Sequence, residues 1–432
     1  KLHYEAYHDQ LTGLKNRRSL IKNIEELDSL KTKGKVALLI LDIDNFKYIN
    51  DTMGHHFGDL LLKKVSDRLE EICEGDCRIY RPGGDEFIIL QENYDESALV
   101  EKLALKILKE CTQGYEIDCS KLFISISIGI SLYPEHGDSL NALFKNADIA
   151  VYKAKETGKK KIVFFNKVMN EAISERVLLE KHLRAALDND EFLLYYQPQL
   201  DIETNTVTGL EALIRWNNLD LGFVSPLRFI SIAEDTHLII PIGEWVIRNA
   251  CKFLKKLHQQ GHEDMSMSVN VSMLQLIQDD FVDKLMMILE ELELNPECLE
   301  LEITESILME SYEAIAAKLE ILKCVGIRIA LDDFGKGYSS LNYLKQLPIT
   351  TLKIDKSFVD TILAGDMDKS LTDLIIRIGR TMDLCVVAEG VETKEQFDFL
   401  SSHKCTKIQG YFFSKPIPEE AVMKSIKMKK AI

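Results

Sequence analysis

The second half of the chain repeats one pattern eight times: a short apolar run, a polar turn and a segment with helical spacing of its apolar residues. The apolar runs are LLYYQPQL (193–200), VTGLEALIRW (207–216), MSMSVNVS (265–272), LELEITES (299–306), IRIALDDFG (327–335), TLKIDKSF (351–358), LCVVAEGVE (384–392) and KIQGYFFS (407–414). Strands that alternate with helices over roughly 240 residues are typical of a closed, mostly parallel barrel. We therefore predict a (β/α)8 TIM-like barrel, and the pattern leaves room for a different strand direction near its start.

The first half has a different rhythm. Apolar runs at 36–44, 78–91 and 122–134 indicate strands, whereas 59–72 and 139–158 have helical spacing. Two adjacent glycines divide the second run, which favours a hairpin of two antiparallel strands. We predict an α+β domain with a mainly antiparallel sheet. Its border lies near Asn166, so the predicted domains are 1–165 and 166–432, and the charged helical stretch at 166–190 connects them.

Composition excludes several classes of protein. The net charge of −16 opposes attraction to nucleic acid or to an anionic membrane surface, since both are polyanions. The nine cysteines form no CxxC pair and no metal-type spacing, and no apolar run of about 18 residues occurs. We expect a reduced, cytoplasmic protein with no membrane contact within this segment. The chain opens at Lys1 without a Met, which suggests that an upstream sensor domain or anchor is absent from it.

Polar side chains follow the predicted barrel strands at their carboxyl ends, where the active sites of such barrels lie. They are Glu211, Asn270, Glu302, Asp332, Asp333, Lys353, Glu389 and Gln409. Clustered carboxylates need cations, and oxygen ligands select hard ions, so we expect two Mg²⁺ or Mn²⁺ ions in a phosphodiester-cleaving site. Each acid taken alone is as well explained by helix capping or a salt bridge. A polar residue at seven strand ends is not.

The same strands offer two cations with separate roles. Lys353 is expected to accept a proton from water or to stabilise charge on the phosphorus centre, and Arg215 to bind a phosphate. Asp332 and Asp333 are spaced to serve one metal each or to bridge two.

The first half carries a smaller acidic cluster. Asp42 ends the run VALLILD, and Asp85 with Glu86 follows the Gly83-Gly84 turn of the predicted hairpin. Three carboxylates facing one another are the palm-like arrangement for two-metal nucleotidyl transfer, with glycines that let a substrate approach the backbone. The alternative is a plain Gly-Gly hairpin with solvated acids.

From about Ser174 to Lys427 the chain resembles an EAL phosphodiesterase domain. The resemblance rests on YYQPQL, EALIRW, SVNVS, LEITES, LDDFGKGYSSL, LKIDKSF, VVAEGVE and QGYFFSKP in the family's order. It implies hydrolysis of cyclic di-GMP to linear pGpG, with residues 332–341 shaping the metal site and a dimer contact. The residues it implies are metal ligands Glu211, Asn270, Glu302, Asp332, Asp333 and Glu389, catalytic Lys353, substrate contacts Gln197, Arg215 and Gln409, and supporting Glu305 and Glu392.

From His8 to about Phe165 the chain resembles a GGDEF diguanylate cyclase domain, with HDQLTGLKNRR, LDIDNFKYINDTMGHHFGD, RPGGDEF and ADIAVYKAKETGKK. A nucleotidyl-cyclase fold that binds GTP with Mg²⁺ is implied. The implied residues are metal contacts Asp42, the Ile43 carbonyl, Asp85 and Glu86, with Glu86 also catalytic; guanine contacts Asn50 and Asp59; and substrate contacts Phe46, Lys47, Gly83, Gly84, Lys155 and Lys159. The family's Arg-x-x-Asp product-inhibition site is missing, because Glu74 and Cys77 hold those positions.

Two hypotheses of function follow. The first is a cyclic di-GMP phosphodiesterase, expected as a homodimer, whose GGDEF half either makes the messenger from two GTP or binds GTP to regulate the hydrolase. The second is a non-catalytic cyclic di-GMP receptor that signals to a protein partner. Formation of pGpG in the presence of Mg²⁺ would separate them.

Overall fold

The structure of the protein is a computed structural model, which describes residues 2–29, 34–73, 77–117, 120–305, 312–335, 341–362 and 366–427. The chain divides into two compact units between Arg176 and Val177. That division falls within a helix that begins just after the predicted border near Asn166, so the border at 165/166 stays a prediction. Among the described helices, none is long and apolar enough to cross a membrane.

The first unit contains one five-stranded sheet and a small two-stranded one. Its strands are β1 (Val36–Ile43), β2 (Cys77–Gly83), β3 (Glu86–Glu92), β4 (Tyr115–Ile117), β5 (Ser120–Leu122), β6 (Ile126–Tyr133) and β7 (Ile162–Phe164). Its helices are α1 (Leu2–Tyr7), α2 (Arg17–Ser29), α3 (Phe46–Met53), α4 (His55–Ile72), α5 (Ser97–Cys111) and α6 (Leu140–Glu156). The large sheet has the order β2-β3-β1-β6-β7, and all its pairs are antiparallel except β6 with β7. The predicted α+β domain is confirmed.

The central strand β1 feeds two cores, because successive side chains of a strand point to opposite faces. Leu39 and Leu41 pack with residues of α4 and α5 on one face. Leu38 and Ile40 pack with residues of α2 and α6 on the other. This two-sided burial explains why the run VALLILD is continuously apolar rather than alternating.

The second unit is built from strands joined by helices. Its strands are β8 (Phe192–Asp201), β9 (Thr206–Asn218), β10 (Gly222–Val224), β11 (Ser266–Asn270), β12 (Leu299–Thr304), β13 (Arg328–Phe334), β14 (Thr351–Ile354), β15 (Cys385–Glu389), β16 (Lys407–Gln409) and β17 (Ile417–Pro418). Its helices are α7 (Lys167–Ala185, which crosses from the first unit), α8 (Pro226–Asp235), α9 (Ile239–Gln259), α10 (Met273–Leu276), α11 (Phe281–Glu291), α12 (Tyr312–Cys324), α13 (Leu341–Gln346), α14 (Lys356–Thr361), α15 (Asp366–Thr381), α16 (Lys394–Ser402) and α17 (Glu419–Lys427).

Eight of these strands close into a barrel in the order β9-β11-β12-β13-β14-β15-β16-β8, and β8 pairs again with β9. Strand β8 is antiparallel to both of its barrel neighbours, while the pairs from β9 through β16 are parallel. The predicted (β/α)8 barrel is confirmed, as is the allowance for a different strand direction at its start. The carboxyl ends of seven parallel strands therefore meet at one end of the barrel.

The two shortest barrel strands, β14 and β16, end well before their apolar runs do. The run at 351–358 leaves the sheet at Asp355, whose side chain accepts a hydrogen bond from the Ser357 N–H and caps α14. The run at 407–414 keeps only three residues in the sheet. Strands β10 and β17 were not predicted, because runs of three and two residues carry no period that a pattern can reveal.

Candidate active site

A lysine surrounded by four carboxylates lies at the carboxyl end of the barrel. Lys353 Nζ is 2.5 Å from Glu389 Oε1, 2.7 Å from Glu302 Oε2, 3.5 Å from Asp332 Oδ1 and 3.7 Å from Glu211 Oε2. The lysine side chain is 1% exposed. Each of these five residues comes from a different barrel strand, so the closed sheet alone brings them together.

Glu211 is held by two side-chain amides as well as by the lysine. Asn270 Nδ2 donates to its Oε1 at 2.8 Å, and Gln409 Nε2 donates to its Oε2. Both donors lie on barrel strands beside or near β9. The carboxylate is thereby fixed in direction before any ligand arrives.

The two aspartates of β13 are presented by an irregularity in the strand. The register of β13 with β14 shifts between Leu331 and Phe334, and Asp333 has a φ of 57°, in the left-handed region. Asp332 Oδ1 accepts a hydrogen bond from the Asp333 N–H at 2.9 Å. Bulges and left-handed residues are costly and are concentrated at functional sites. The structure thus places Asp332 in the cluster and Asp333 directly after it.

Crowding shifts the protonation of the cluster. Burial, together with the charge of Glu211, raises the pKa of Glu302 well above its usual range. Burial also raises the pKa of Glu389 to about 7, partly offset by Lys353. For Glu211 burial acts in the same upward direction, but Lys353 and the Gln409 and Asn270 amides outweigh it and lower its pKa. Burial would favour neutral Lys353, yet the carboxylates around it raise its pKa and keep it an ammonium.

The residues of this cluster fit the divalent cations that the sequence predicted. Four carboxylates against one ammonium leave an excess of negative charge, which bound divalent cations would neutralise. Glu302 Oε1 is buried and has no hydrogen-bond partner among the described residues. The donors are all oxygens, as Mg²⁺ and Mn²⁺ prefer. Lys353 lies between these carboxylates. Among the described residues, no three acidic, His or Cys side chains are arranged to coordinate a metal ion.

An open cavity of about 710 Å³ adjoins the cluster. Its lining includes Asn270, Glu302, Arg215, Ile214 and Met273. The Arg215 guanidinium lies 5.4 Å from the centre of the Tyr195 ring, a cation–π contact that fixes it. A cavity of this size suits a small-molecule ligand, and a guanidinium in its wall suits an anionic one.

The remaining barrel residues predicted from sequence lie around this centre. Gln197 accepts from Gln409 Nε2 at 3.1 Å. Glu305 Oε2 accepts a weak 3.4 Å hydrogen bond from the Gly335 N–H. Glu392 is paired with Lys356 rather than with the cluster. Of the predicted loop 332–341, residues 336–340 lie outside the described part of the chain.

Sequence reasoning missed Gln199, whose amide reaches Gln409 Oε1 at 3.2 Å from inside the barrel. The signal was available, because Gln197 and Gln199 are two apart in YYQPQL and therefore share one face of β8.

The acidic cluster of the first unit forms across two paired strands. Asp42 of β1 and Glu86 of β3 are direct cross-strand partners, and Ile43 N–H donates to the Asp85 carbonyl at 3.4 Å. Lys155 Nζ is 2.6 Å from Asp42 Oδ2. Burial raises the pKa of Asp42 and, with the nearby charge of Asp148, that of Glu86. Crowding and burial thus act on these acids as they do on most carboxylates of the barrel cluster.

The other predicted nucleotide contacts differ in how far they are exposed to solvent. Asn50 Oδ1 is buried without a hydrogen-bond partner among the described residues and lies against Gly58, where a Cβ would come within 1.9 Å of it. Lys159 Nζ contacts Asn45 Oδ1 at 2.7 Å. Phe46 is buried in the core, whereas Asp59, Lys47, Gly83 and Gly84 are exposed.

Asp44 was not predicted, and it is the best-connected acid of this region. Ser125 and Ser127 donate to its two oxygens at 2.6 and 2.7 Å, and the Lys160 N–H donates at 3.2 Å. Its role is structural, because it ties β1 to β6 and to the segment after α6. Cys77 lies at the start of β2, and Glu74 lies outside the described residues.

The fold and the two sites together define a two-domain protein in which each unit carries its own acidic cluster. Residues 180–416 match the family model of the EAL domain, and residues 6–161 match that of the diguanylate cyclase GGDEF domain. The chain belongs to the EAL domain family, as a tandem protein with a GGDEF domain ahead of the EAL domain.

Curated relatives share this tandem arrangement. The bifunctional diguanylate cyclase/cyclic di-GMP phosphodiesterase MucR of Pseudomonas aeruginosa is 40% identical over 423 residues, which are 98% of this chain and 62% of that protein. The cyclic di-GMP phosphodiesterase PdeR of Escherichia coli is 37% identical over 421 residues, 98% of this chain and 63% of that protein. The chain thus spans less than two thirds of the length of these relatives.

A solved structure supports the barrel assignment. The PaMucR phosphodiesterase in complex with c-di-GMP matches with a TM-score of 0.55 and 40% identity, over 57% of this chain and 99% of that one. That structure contains a phosphodiesterase domain with its nucleotide.

Proposed function

We propose that this chain hydrolyses cyclic di-GMP to linear pGpG in the barrel, with two Mg²⁺ or Mn²⁺ ions. The observation that carries the proposal is the set of four carboxylates around buried Lys353 beside a cavity with a guanidinium in its wall. The names of relatives at 40% and 37% identity support the substrate. Glu211, Asn270, Glu302, Asp332, Asp333 and Glu389 are the proposed ligands.

Divalent cations at this cluster would supply an activated water and neutralise the charge of the reacting phosphate. The chain's own residues do the rest. Asn270 and Gln409 orient Glu211, and Arg215 binds a phosphate oxygen of the substrate. Lys353, which lies within 3.7 Å of four proposed ligands, would either accept a proton from water or stabilise negative charge on the phosphate.

The first prediction tests this site. Glu211→Ala should reduce pGpG formation at least about a hundredfold, since loss of even an outer-shell partner costs up to that much. Chromatography of cyclic di-GMP incubated with the full chain and Mg²⁺ measures the rate. The matched control is Glu203→Ala in the exposed turn between β8 and β9, which should keep wild-type turnover. A Glu211→Ala rate equal to wild type would exclude this metal site.

The receptor hypothesis remains the alternative outcome of the same assay. Tight binding of cyclic di-GMP by the wild-type chain with no pGpG at any Mg²⁺ or Mn²⁺ concentration would favour a receptor. The supporting glutamates Glu305 and Glu392 stay proposals in either case.

For the first unit we propose GTP binding with Mg²⁺, followed either by diguanylate cyclase activity or by regulation of the barrel. The ion would bind at Asp42, the Ile43 carbonyl, Asp85 and Glu86. Lys155, already 2.6 Å from Asp42, and Lys159 would bind the triphosphate. Other proposed contacts are Asn50 and Asp59 for guanine and Phe46, Lys47, Gly83 and Gly84 for the rest of the nucleotide. Cyclase activity requires two such units, so a homodimer is part of the proposal.

A further inference from the structure

Below the acidic cluster, a column of hydrogen-bonded polar side chains runs through the barrel interior. Gln199 Nε2 of β8 donates to Gln409 Oε1 at 3.2 Å and to Ser268 Oγ at 3.4 Å. Ser268 Oγ donates in turn to Glu300 Oε1 of β12 at 2.9 Å. Gln199 and Ser268 are each 1% exposed, and Glu300 and Gln409 are each 4% exposed, so water does not replace these contacts.

The lower end of the column fixes the direction of every hydrogen bond above it. A carboxylate such as Glu300 only accepts, so the Ser268 hydroxyl must give its single hydrogen to it. The oxygen of Ser268 is then left as an acceptor, and it faces the NH₂ group of Gln199. The second hydrogen of that NH₂ group is directed to Gln409, which must present its oxygen to it.

The upper end demands the same orientation. With its oxygen toward Gln199, Gln409 directs its NH₂ group to Glu211 Oε2 and to Gln197 Oε1. Glu211 is a carboxylate and needs a donor there. A glutamine amide can be turned over by half a rotation at little steric cost, and the turned form would set an oxygen against Glu211. Only its other partners decide which form is present, and Gln199 is the one that contacts the Gln409 oxygen.

The geometry points to Gln199 as a positioning residue for the barrel site: anchored through Ser268 to Glu300, it fixes the Gln409 amide so that its NH₂ group faces Glu211. The inference rests on the proposed metal site, of which Glu211 is a ligand. Gln199 touches neither the ligands nor the cavity. It acts through Gln409, as outer-shell hydrogen bonds act on metal ligands generally.

Three variants of the full chain separate this role from simple packing. Gln199→Leu removes the constraint on the Gln409 amide, whereas Gln199→Glu places an acceptor against the Gln409 oxygen and turns the amide over. Thr351→Val is the matched control, because Thr351 donates to the other oxygen of Glu300 at 2.6 Å but lies off the column. All three variants remove buried hydrogen bonds, so all three are expected to lose some stability. A difference in metal binding among them therefore reports their effect on Gln409.

The measurement is Mn²⁺ binding by calorimetry in the absence of nucleotide. The isotherm of Glu211→Ala gives the Mn²⁺ that binds outside the barrel site, and it is subtracted from the others. Thr351→Val should bind Mn²⁺ within about twofold of wild type, Gln199→Leu several-fold more weakly, and Gln199→Glu about 10- to 100-fold more weakly. A crystal structure of Gln199→Glu should show the Gln409 amide turned over. The inference is overturned if Gln199→Glu binds Mn²⁺ like wild type, or if Thr351→Val loses as much affinity as Gln199→Glu. Because no nucleotide is present, failure of cyclic di-GMP hydrolysis would be a separate result.

Discussion

Lys353 and its four carboxylates form a buried charged cluster, in which two glutamates lower the stability of the fold when no metal ion is bound. The ammonium contacts Glu389 and Glu302 at 2.5 and 2.7 Å, yet the pKa values of both glutamates are raised by burial. Desolvation and mutual repulsion therefore outweigh the attraction to a single lysine. The ionised forms of Glu302 and Glu389 therefore destabilise the metal-free fold, while the cluster as a whole presents a preorganised set of oxygen donors.

At the residue scale, the unfavourable burial of these carboxylates predicts that replacing a proposed metal ligand by a neutral residue stabilises the metal-free chain. Glu389 has a pKa of about 7 in the fold against an ordinary value of 4.5, so the fold favours its neutral form. The stability of the fold therefore falls as pH rises from 4.5 through about 7 and Glu389 ionises. In a chelator at pH 8, Glu389→Gln should raise the free energy of unfolding by about 2–3 kcal/mol, and the gain should shrink toward pH 5.

Urea unfolding followed by tryptophan fluorescence measures this gain, because both tryptophans of the chain, Trp216 and Trp245, lie in the barrel unit. Glu203→Gln in the exposed turn is the control and should change nothing at either pH. If Glu389→Gln were less stable than wild type at pH 8, the ion pair with Lys353 would outweigh burial, and the account of the cluster given above would be wrong.

At the element scale, the packing of α6 on the first sheet depends on one glycine. A Cβ on Gly129 of β6 would lie 2.2 Å from the Ala147 carbonyl oxygen and 2.3 Å from the Val151 nitrogen, both backbone atoms of α6. No rotamer change relieves such contacts. The helix that carries Lys155 is therefore held against the strand beside β1 at the closest distance that the backbone allows.

Gly129→Ala should destabilise the first unit by about 3 kcal/mol or more, the upper range for overpacking, since only movement of α6 makes room. Gly114→Ala is the matched control, because the three atoms nearest to its Cβ would all belong to the flexible Lys121 side chain. Thermal unfolding followed by circular dichroism should show an early transition in Gly129→Ala alone. The tryptophan signal of the barrel should stay in place, and equal melting of the two variants would refute the packing argument.

Sequence patterns predicted the elements whose apolar residues pack into the core. They missed strand ends that are set by a single capping side chain. The barrel and the antiparallel sheet follow from apolar runs and turns, whereas the direction of the first strand was only left open. The strand end at Asp355 does not follow from them, because its cap competes with an apolar run that continues past it. The strand-end rule likewise located the residues of the barrel cluster. It could not reveal Asp44, whose importance comes from Ser125 and Ser127, more than eighty residues away in sequence. Gln199 was missed although its alternation with Gln197 on β8 indicated it.

At the scale of the whole molecule, two units with separate cores each present an acidic cluster. The barrel belongs to a family whose relatives degrade cyclic di-GMP, and the first unit matches a domain named for making it. Both activities in one chain would cancel unless one is conditional. If the first unit makes the messenger as proposed, the synthesis is the conditional activity, because each unit would hold one GTP whereas the product contains two nucleotides.

The last prediction concerns that synthesis. With the barrel silenced by Glu211→Ala, the full chain should convert two GTP to one cyclic di-GMP and two pyrophosphates, as each 3′-hydroxyl attacks the α-phosphate of the other nucleotide. Because two units must meet, the initial rate should rise about with the square of protein concentration while the chain is mostly monomeric. Chromatography and pyrophosphate release measure it, and adding Asp42→Asn should abolish it by removing a carboxylate that is proposed to bind the metal ion. Added cyclic di-GMP should not inhibit the synthesis, since Glu74 and Cys77 replace the inhibitory motif.

A rate strictly proportional to protein concentration would contradict assembly of two units. GTP binding with no product at any protein concentration would make the first unit a GTP-sensing regulator.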